Sequence, residues 1–388
     1  MEVFASLVEE ICAHTRAAPG RIIKWTIIAN PVAGGFTIRS RWKRHHETLA
    51  AAAKKAAVNP LRKGSGPSRT ALESGDVLGT RGLVRTGGPG HAGKIAGELV
   101  AEALAESAPA EKKRGRSSAP SPESFYLVIT AGGDGTSLEV LSALYHAGAA
   151  FRSRFAVLRL PMGTGNDGAD GVEDGRPADI GRALDLLILP VKTELSRALR
   201  LVTAQSGPAK DKGPFLAFNI LSVGLDAFVT HMTNRMKGGL PGDSYKLWVD
   251  IAALLYDRLY KIDFLEVRAL DERGRELTSF REKLLLLAVG VSGRRTYGSH
   301  KKILPDDRNV CAVKQMPLLR KIALKGLFTT GAHIRKPESI LFSARRVEFS
   351  GLHPILAQMD GETVLLQKED FPAAIELTDP VIPVLRPV

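Results

Sequence analysis

The chain has 388 residues, of which 44% are hydrophobic, and a formal net charge of +13; this length favours two domains with sizeable cores. Its two cysteines offer neither a disulfide framework nor a zinc site, no apolar run reaches the ~20 residues of a membrane-spanning helix, and residues 1–20 lack the apolar segment of a signal peptide. The positive charge favours an anionic partner such as a phosphorylated ligand or a lipid surface, and nucleic acid is the weaker choice because no zinc finger, RNA-binding signature or recognition helix is present.

Strand and helix patterns alternate through the first half of the chain. This alternation predicts an α/β domain with a parallel sheet, in which ligands bind beyond the carboxyl ends of the strands. Segments rich in Pro, Gly and Ser at 59–76 and 107–124 predict surface insertions. The predicted strands are 22–29, 82–86, 125–130 and 155–160, and the predicted helices are 40–57, 91–106 and 136–147.

The second half is predicted to be mostly antiparallel β structure, because short apolar runs follow one another with short turns between them. We predict an N-terminal extension at 1–20, an α/β domain at 21–190 to which 374–388 return, and a β-rich domain at 191–373. The predicted strands are 197–204, 215–223, 262–270, 276–290, 310–316, 340–350 and 355–367, and helical patterns lie near 244–257 and 317–330.

One loop carries an unusual combination of residues. Residues 131–136 read Ala-Gly-Gly-Asp-Gly-Thr and join a predicted strand to a predicted helix. Gly132 and Gly133 let a ligand approach the backbone, and the helix start presents unpaired amides that suit a phosphate. Thr136 is expected to cap the helix. Asp134 would repel phosphate, so it is expected to hold Mg²⁺ or to accept a proton; taken alone, a turn whose aspartate caps the helix explains it equally well.

Three further polar loops follow predicted strands. Residues 30–34 follow the first strand, Thr86 with His91 follows the second, and residues 163–167 follow the strand at 155–160. Because parallel strands end at one edge of a sheet, the four loops together predict a phosphate-binding rim. Neither the common phosphate loop nor the dinucleotide glycine pattern is present.

A set of motifs occurs along the chain in a specific order: IANPVAG (28–34), TGGPGHA (86–92), AGGDGTSLEV (131–140), PMGTGND (161–167), FNILSVGLDA (218–227) and QMDGE (358–362). With this set the sequence resembles the diacylglycerol kinase catalytic-domain family, which includes sphingosine kinases and bacterial lipid kinases. That family is related in fold to NAD kinases and phosphofructokinases. The resemblance extends from about residue 21 to 384, apart from the insertions.

The resemblance implies an ATP- and Mg²⁺-dependent lipid kinase with a nucleotide-binding α/β domain and a β-rich lipid domain. Diacylglycerol is the default acceptor, and the implied role is in phospholipid biosynthesis. The implied location is cytoplasmic and peripheral to the membrane, where the partner is the lipid substrate and not nucleic acid; a homodimer is compatible with this reading.

The resemblance also assigns roles to individual residues. Asp134, Asp360 and Glu362 are the candidate catalytic carboxylates. One of them would accept the proton of the lipid hydroxyl, and Asp134 or Asp360 would position Mg²⁺; the choice stays open. The predicted nucleotide-binding residues are Asn30, Pro31, Val32, Ala33, Gly34, Thr86, Gly132, Gly133, Asp134, Gly135, Thr136, Gly163, Thr164, Asn166 and Asp167.

Some residues depart from the family pattern and keep alternatives open. Leu138 stands where the family usually has Asn, and residues 292–313 lack the usual glycine run, so a second Mg²⁺ site there is not expected. Glu139 either contacts nucleotide or metal or is a helix-start acid, and Asp226 is either a substrate or metal contact or a buried turn residue. The alternatives are an NAD-kinase-like enzyme with a soluble acceptor and an inactive nucleotide- or lipid-binding protein.

Overall fold

The chain divides into two compact units. A computed structural model describes residues 1–15, 21–58, 82–107, 124–148, 152–163, 166–170, 179–236, 256–297 and 301–388. The first unit comprises residues 1–172, 177–196 and 380–388, and the second comprises residues 173–176 and 197–379.

In the described part of the first unit, six strands form one sheet: β1 (Ile22–Ala29), β2 (Gly82–Arg85), β3 (Ser124–Gly132), β4 (Phe155–Pro161), β5 (Val191–Ser196) and β19 (Ile382–Pro387). Their order is β2-β1-β3-β4-β19-β5, and every neighbouring pair is parallel except β19 with β5. Nearly all residues of β3 and β4 are buried. Helices cover both faces of such a sheet, which explains why these strands read as continuous apolar runs.

Helices surround this sheet, and the N-terminal one belongs to its core. Phe4, Val8 and Ile11 lie on one helical face and pack with Ile27 and Leu49 in the first core. Residues 1–15 are therefore part of the first unit, and the predicted separate extension at 1–20 is not seen among them. The helices among the described residues of this unit are α1 (Glu2–Cys12), α2 (Gly34–Thr37), α3 (Arg39–Val58), α4 (His91–Ser107), α5 (Asp134–His146) and α6 (Ile180–Ile188).

The second unit is built on antiparallel strands. In its described part, eleven strands form one sheet. The long strand β10 (Glu276–Gly290) pairs with one strand along residues 276–283 and with two strands, one on each side, along residues 284–290. The other ten strands are β6 (Leu199–Val202), β7 (Phe215–Ala217), β8 (Ile220–Gly224), β9 (Phe264–Leu270), β13 (Val310–Lys314), β14 (Ser339–Phe342), β15 (Arg346–Ser350), β16 (Ile355–Met359), β17 (Glu362–Leu366) and β18 (Ala373–Leu377). A separate hairpin pairs β11 (Arg295–Tyr297) with β12 (Lys301–Leu304), and the helices are α7 (Leu225–Met236), α8 (Tyr256–Leu259) and α9 (Leu318–Thr330).

The predicted fold class is confirmed: a mostly parallel α/β unit precedes a unit of antiparallel strands. The unit boundaries differ from the predicted ones, because β5 pairs with β19 in the first sheet and β18 pairs with β6 and β15 in the second. Residues 215–223, 340–350 and 355–367 were each predicted as one strand, and each forms two strands instead. The insertion predicted at 59–76 lies outside the described residues, and so does nearly all of the helix predicted near 244–257. Across the described residues, no helix has both the length and the apolarity needed to cross a bilayer.

Candidate active site

Four loops meet at one edge of the first sheet. They follow β1, β2, β3 and β4, which are adjacent parallel strands. Backbone hydrogen bonds join the loop starts: the Asn30 amide donates to the Ala131 carbonyl over 2.9 Å, and the Thr86 amide donates to the Ala29 carbonyl over 2.9 Å. The structure thus brings together the loops that were predicted to form the rim.

The amino terminus of α5 lies in the middle of this edge. Gly133 precedes the helix in an extended conformation and, as a glycine, has no side chain with which to cap it. The amides of a helix's first turn have no acceptor within the helix and carry a partial positive charge. The first turn of α5, which starts at Asp134, is therefore suited to bind an anion.

The predicted capping role of Thr136 is wrong, because α5 begins two residues earlier than expected. Thr136 lies inside the first turn and is buried. A Cβ atom added to Gly132 would lie 2.6 Å from the Thr136 hydroxyl oxygen, so only glycine leaves room for this side chain. The hydroxyl also accepts a long hydrogen bond of 3.5 Å from the side-chain nitrogen (Nδ2) of Asn30. Thr136 therefore packs the rim together instead of capping the helix.

Close backbone contact holds the loop after β4 against the start of α5. A Cβ atom on Gly163 would lie 2.3 Å from the Gly133 Cα, which real structures do not show. Asn166, at a φ of 60°, closes the loop by accepting from the Gly163 amide over 2.7 Å and donating to the Gly163 carbonyl over 2.9 Å. Thr164 lies outside the described residues.

Carboxylates fix the position of this same loop. One oxygen of Asp134 accepts a hydrogen bond from the Gly168 amide over 3.1 Å. Asp170 forms a buried ion pair of 2.8 Å with Arg159 of β4 and also accepts from the Arg159 amide. We did not predict this pair from sequence; an arginine within the otherwise apolar strand at 155–160 is the only signal for it.

Glu139 caps a neighbouring helix. Its carboxylate accepts hydrogen bonds from the amides of Gly90 (2.7 Å), Ala92 (3.0 Å) and Gly93 (3.4 Å), at the start of α4. This geometry shows a structural role that neither sequence interpretation of Glu139 included. Of the helices that follow β2 and β3, α4 already holds a carboxylate of the chain, whereas the N-cap residue of α5 is Gly133, which has no side chain.

In the second unit, Asp360 and Gly361 form the two-residue turn between β16 and β17. Their φ values are 45° and 103°, and Met359 pairs with Glu362 across the turn. Positive φ at both positions is the requirement of the turn that matches the twist of a hairpin, and it explains the Asp-Gly sequence.

Backbone amides occupy the Asp360 carboxylate. It is buried and accepts hydrogen bonds from the amides of Phe218, Asn219 (3.1 and 3.2 Å to the two oxygens) and Ile220 (3.0 Å). Two carboxylate oxygens offer about four acceptor sites, so these bonds leave little capacity for a metal or a proton. The predicted metal-binding and catalytic roles of Asp360 stay predictions.

Glu362 differs from Asp360 in its surroundings. It is exposed, and no hydrogen bond or ion pair of its carboxylate is found among the described residues. The turn that carries it is held from α7, where the Asn234 amide nitrogen donates to the Gly361 carbonyl over 2.8 Å. The side-chain oxygen of Gln358 also supports the turn, because it accepts a hydrogen bond from the Gly361 backbone amide over 3.2 Å. Glu362 is thus a surface carboxylate on a well-supported turn.

Asp226 is hydrogen-bonded to Gln358, one of the residues that support this turn. Its carboxylate accepts from the Ser222 hydroxyl over 2.7 Å and from the Gln358 amide nitrogen over 3.4 Å. Burial raises its pKa to about 6, and the hydrogen bonds of these two side chains and the charge of Lys301 counteract part of that rise. Asp226 is buried, as the turn-residue interpretation expected, but it lies in the first turn of α7, and its carboxylate bonds to side chains of β8 and β16 instead of to a turn backbone.

The described residues of the first unit fit a bound nucleotide phosphate and one Mg²⁺ ion. The uncapped start of α5 and the Gly133–Gly163 contact form a backbone cradle that any side chain would fill. No group of three or more potential metal ligands occurs among the described residues. Mg²⁺ usually takes one or two carboxylates together with substrate phosphates and water, and Asp134 is a carboxylate at this cradle.

Comparisons with known proteins agree with this geometry. Residues 101–198 match the family model of the diacylglycerol kinase catalytic domain. This range contains β3, β4 and the loops after both strands. The match therefore covers the centre of the rim.

Curated relatives extend the similarity. A "Probable lipid kinase YegS-like" of Klebsiella pneumoniae (strain 342) is 27% identical over 266 residues, which are 67% of this chain and 80% of the relative. A protein of the same description from Cronobacter sakazakii (strain ATCC BAA-894) is 29% identical over 238 residues, 61% of this chain and 71% of the relative.

Among solved structures, a "putative diacylglycerol kinase" from Bacillus anthracis str. Sterne superposes with a TM-score of 0.53 at 17% identity, covering 93% of this chain and 96% of that one. A second structure of that description gives a TM-score of 0.52 at the same coverage. These likenesses concern the fold. Together, the family model, the curated relatives and the shared fold confirm that the chain resembles the diacylglycerol kinase catalytic-domain family and support its assignment to the lipid kinases as a class.

Proposed function

We propose that this protein transfers the terminal phosphoryl group of ATP to the hydroxyl group of a lipid, with Mg²⁺ as cofactor and diacylglycerol as the default acceptor. The observation that carries this proposal is the uncapped amino terminus of α5, enclosed by the close contact of Gly133 with Gly163. The names of the relatives and the matched catalytic-domain model support the choice of reaction.

The first unit supplies what a phosphoryl donor needs. Amides of the first turn of α5 can donate hydrogen bonds to a phosphate, and the helix dipole adds to the attraction of an anion. Mg²⁺, when bound, neutralises charge on the phosphate oxygens. Asp134, at the first position of the helix, is the carboxylate best placed in this unit to hold it.

The reaction needs little covalent chemistry from the protein. The lipid hydroxyl oxygen forms a bond to the terminal phosphorus, the bond from that phosphorus to the bridging oxygen breaks, and ADP leaves with the electron pair. The hydroxyl proton passes to a carboxylate. Within the first unit Asp134 is the acceptor that we propose; three backbone amides occupy the oxygens of Asp360, and the role of Glu362 stays a prediction.

A pair of glycine substitutions tests the nucleotide site. Gly163→Ala places a methyl group against the backbone of Gly133, whereas an alanine at Gly97 of α4 meets nothing within 4 Å. We expect Gly163→Ala to weaken ATP binding by at least about tenfold and Gly97→Ala to leave it unchanged, as measured by calorimetry with Mg²⁺. Thermal unfolding of both variants shows whether Gly163→Ala is folded; equal ATP affinity in two folded variants would refute the site.

A transfer assay tests the reaction. Labelled ATP is offered with Mg²⁺ and a panel of lipids in mixed micelles, together with NAD as a soluble acceptor. We expect label in one lipid class and none in NAD. Transfer to NAD instead would favour the NAD-kinase-like alternative, and ATP binding without transfer to any acceptor would favour a binding protein.

A further inference from the structure

Helix α9 of the second unit presents an apolar face to solvent. The side chains of Leu318, Leu319 and Ile322 are 40%, 82% and 49% exposed. Their spacing places them on one side of the helix, where Ala323 and Gly326 continue the same face. The opposite side is anchored by the buried Leu324. The exposed residues therefore do not serve the core, and we call them the α9 face.

The chain segment that contains the α9 face is rich in basic residues. The helix has no acidic residue, and the segment 301–336 contains nine Lys or Arg residues and two Asp. Both of these aspartates are already paired, Asp306 with Arg308 and Asp307 with Arg294. Three of the nine basic residues are paired with carboxylates outside the segment, Lys314 with Glu282, Lys321 with Asp257 and Arg320 with Glu338, and the segment keeps a net positive charge.

Two basic residues near the carboxyl end of α9 illustrate this excess. Lys302 of β12 lies beside Gly331, directly after the helix. Arg335 is exposed on the short turn that follows. For neither side chain is an ion pair found in the part of the chain that the structure describes. Arg320, on the helix itself, is paired with Glu338.

We infer that the α9 face is the surface with which this protein binds an anionic lipid bilayer. Apolar side chains surrounded by basic ones are the pattern of helices that lie in a membrane interface, where leucines enter the acyl boundary and cations meet the headgroups. A second copy of the chain would bring the same positive segment against itself, so charge disfavours self-association as the alternative. The inference rests on the proposed function only for the choice of a lipid partner.

Vesicle binding tests the inference without ATP or acceptor lipid. Sedimentation with phosphatidylcholine vesicles, with and without phosphatidylglycerol, measures the affinity of the full chain. We expect binding only when phosphatidylglycerol is present. The double variant Leu319→Ser/Ile322→Ser should lower this affinity about tenfold, whereas Leu277→Ser, at a position 53% exposed on β10 of the same unit, should not change it.

Charge reversal provides a second, independent pair of variants. Arg335→Glu should weaken binding about tenfold or more, and Arg273→Glu, an exposed arginine in the turn before β10, should have little effect. Equal loss in both variants would indicate general attraction of a basic protein and overturn the inference. So would binding to neutral vesicles, or a wild-type dimer that Leu319→Ser/Ile322→Ser converts to a monomer in light scattering.

The outcomes separate this inference from the proposed kinase function. Vesicle binding that depends on the α9 face, in a protein with no transfer activity, would support the inference and refute the kinase. Transfer activity in a protein whose vesicle binding ignores the α9 face would do the reverse. Each of these variants changes only exposed side chains, and its circular dichroism spectrum shows whether it remains folded.

Discussion

The dipeptide Asp-Gly occurs at two candidate catalytic positions and adopts two different structures. Asp134 and Gly135 begin helix α5 in the first unit, with helical backbone and no side-chain cap. Asp360 and Gly361 form a hairpin turn in the second unit, with positive φ at both residues. The same two residues therefore mark a helix start in one place and a reversal of the chain in the other.

The two positions also differ in what happens to nearby backbone amides. At Asp360 the carboxylate turns inward and takes the amides of Phe218, Asn219 and Ile220. At the start of α5 the N-cap residue is Gly133, which has no side chain to cap the helix. An aspartate that fills backbone donors stabilises the fold, and a helix start left without a cap is available to a ligand. Proximity to a motif does not distinguish the two cases; the hydrogen bonds do.

The largest expected effect comes from Asp134. Asp134→Asn keeps an oxygen that can accept from the Gly168 amide but removes the charge that a metal or a proton needs. We expect phosphoryl transfer to fall by about 100- to 1000-fold, while the free energy of unfolding changes by less than about 1 kcal/mol. Steady-state kinetics and denaturant unfolding measure the two quantities.

A matched control for Asp134 is Asp185→Asn on α6, whose carboxylate is paired with Lys55 at the surface of the same unit. Its activity should equal that of the unmodified chain. If Asp134→Asn instead lowered stability and left transfer intact, the two Asp-Gly positions would not differ in the way described.

Asp360 is expected to show the opposite pattern. Asp360→Ala leaves three buried amides without their acceptor and should lower the free energy of unfolding by about 3 kcal/mol. Asp307→Ala removes an exposed surface ion pair and should cost less than about 1 kcal/mol. Denaturant unfolding compares them, and equal losses would contradict a structural role for Asp360.

Asp226 makes the support of the second turn depend on pH. Because burial raises the pKa of Asp226 to about 6, the folded chain keeps this proton at pH values where the unfolded chain, with a pKa near ~3.9, has lost it. The contribution to stability is therefore fully present below about pH 4 and is lost as the pH rises through about 6.

Replacing Asp226 tests this pH dependence. The free energy of unfolding of the unmodified chain should differ between about pH 4 and about pH 6 because of Asp226. Asp226→Asn should remove about 1–2 kcal/mol of that difference. Unfolding in denaturant at both pH values measures it. An unchanged pH profile in Asp226→Asn would mean that Asp226 titrates alike in the folded and unfolded chain.

Glu139 should give the smallest of these effects. Glu139→Ala removes the acceptor of the first amides of α4 and should lower the free energy of unfolding by about 1 kcal/mol, with Glu139→Gln losing less. A loss of transfer activity in Glu139→Gln at unchanged stability would instead support a nucleotide or metal contact and reverse the contrast between the two helix starts.

The sequence predicted the rim in outline because its signals are local. Buried parallel strands appear as apolar runs, and the loops that follow them carry Gly, Asn and Thr. It did not predict the contacts that hold the rim together. The ion pair of Arg159 with Asp170 and the cap formed by Glu139 join residues whose pairing depends on how neighbouring elements pack.

By itself, the sequence determined the alternation of strands and helices and the order of the motifs, because each depends on residues adjacent in the chain. Only the tertiary structure decided which carboxylates are occupied. Asp360 meets the amides of residues about 140 positions away, and Glu139 meets a helix that begins almost 50 positions earlier. A carboxylate forms hydrogen bonds with the donors that the fold places next to it, and residues adjacent in the sequence do not reveal which donors those are.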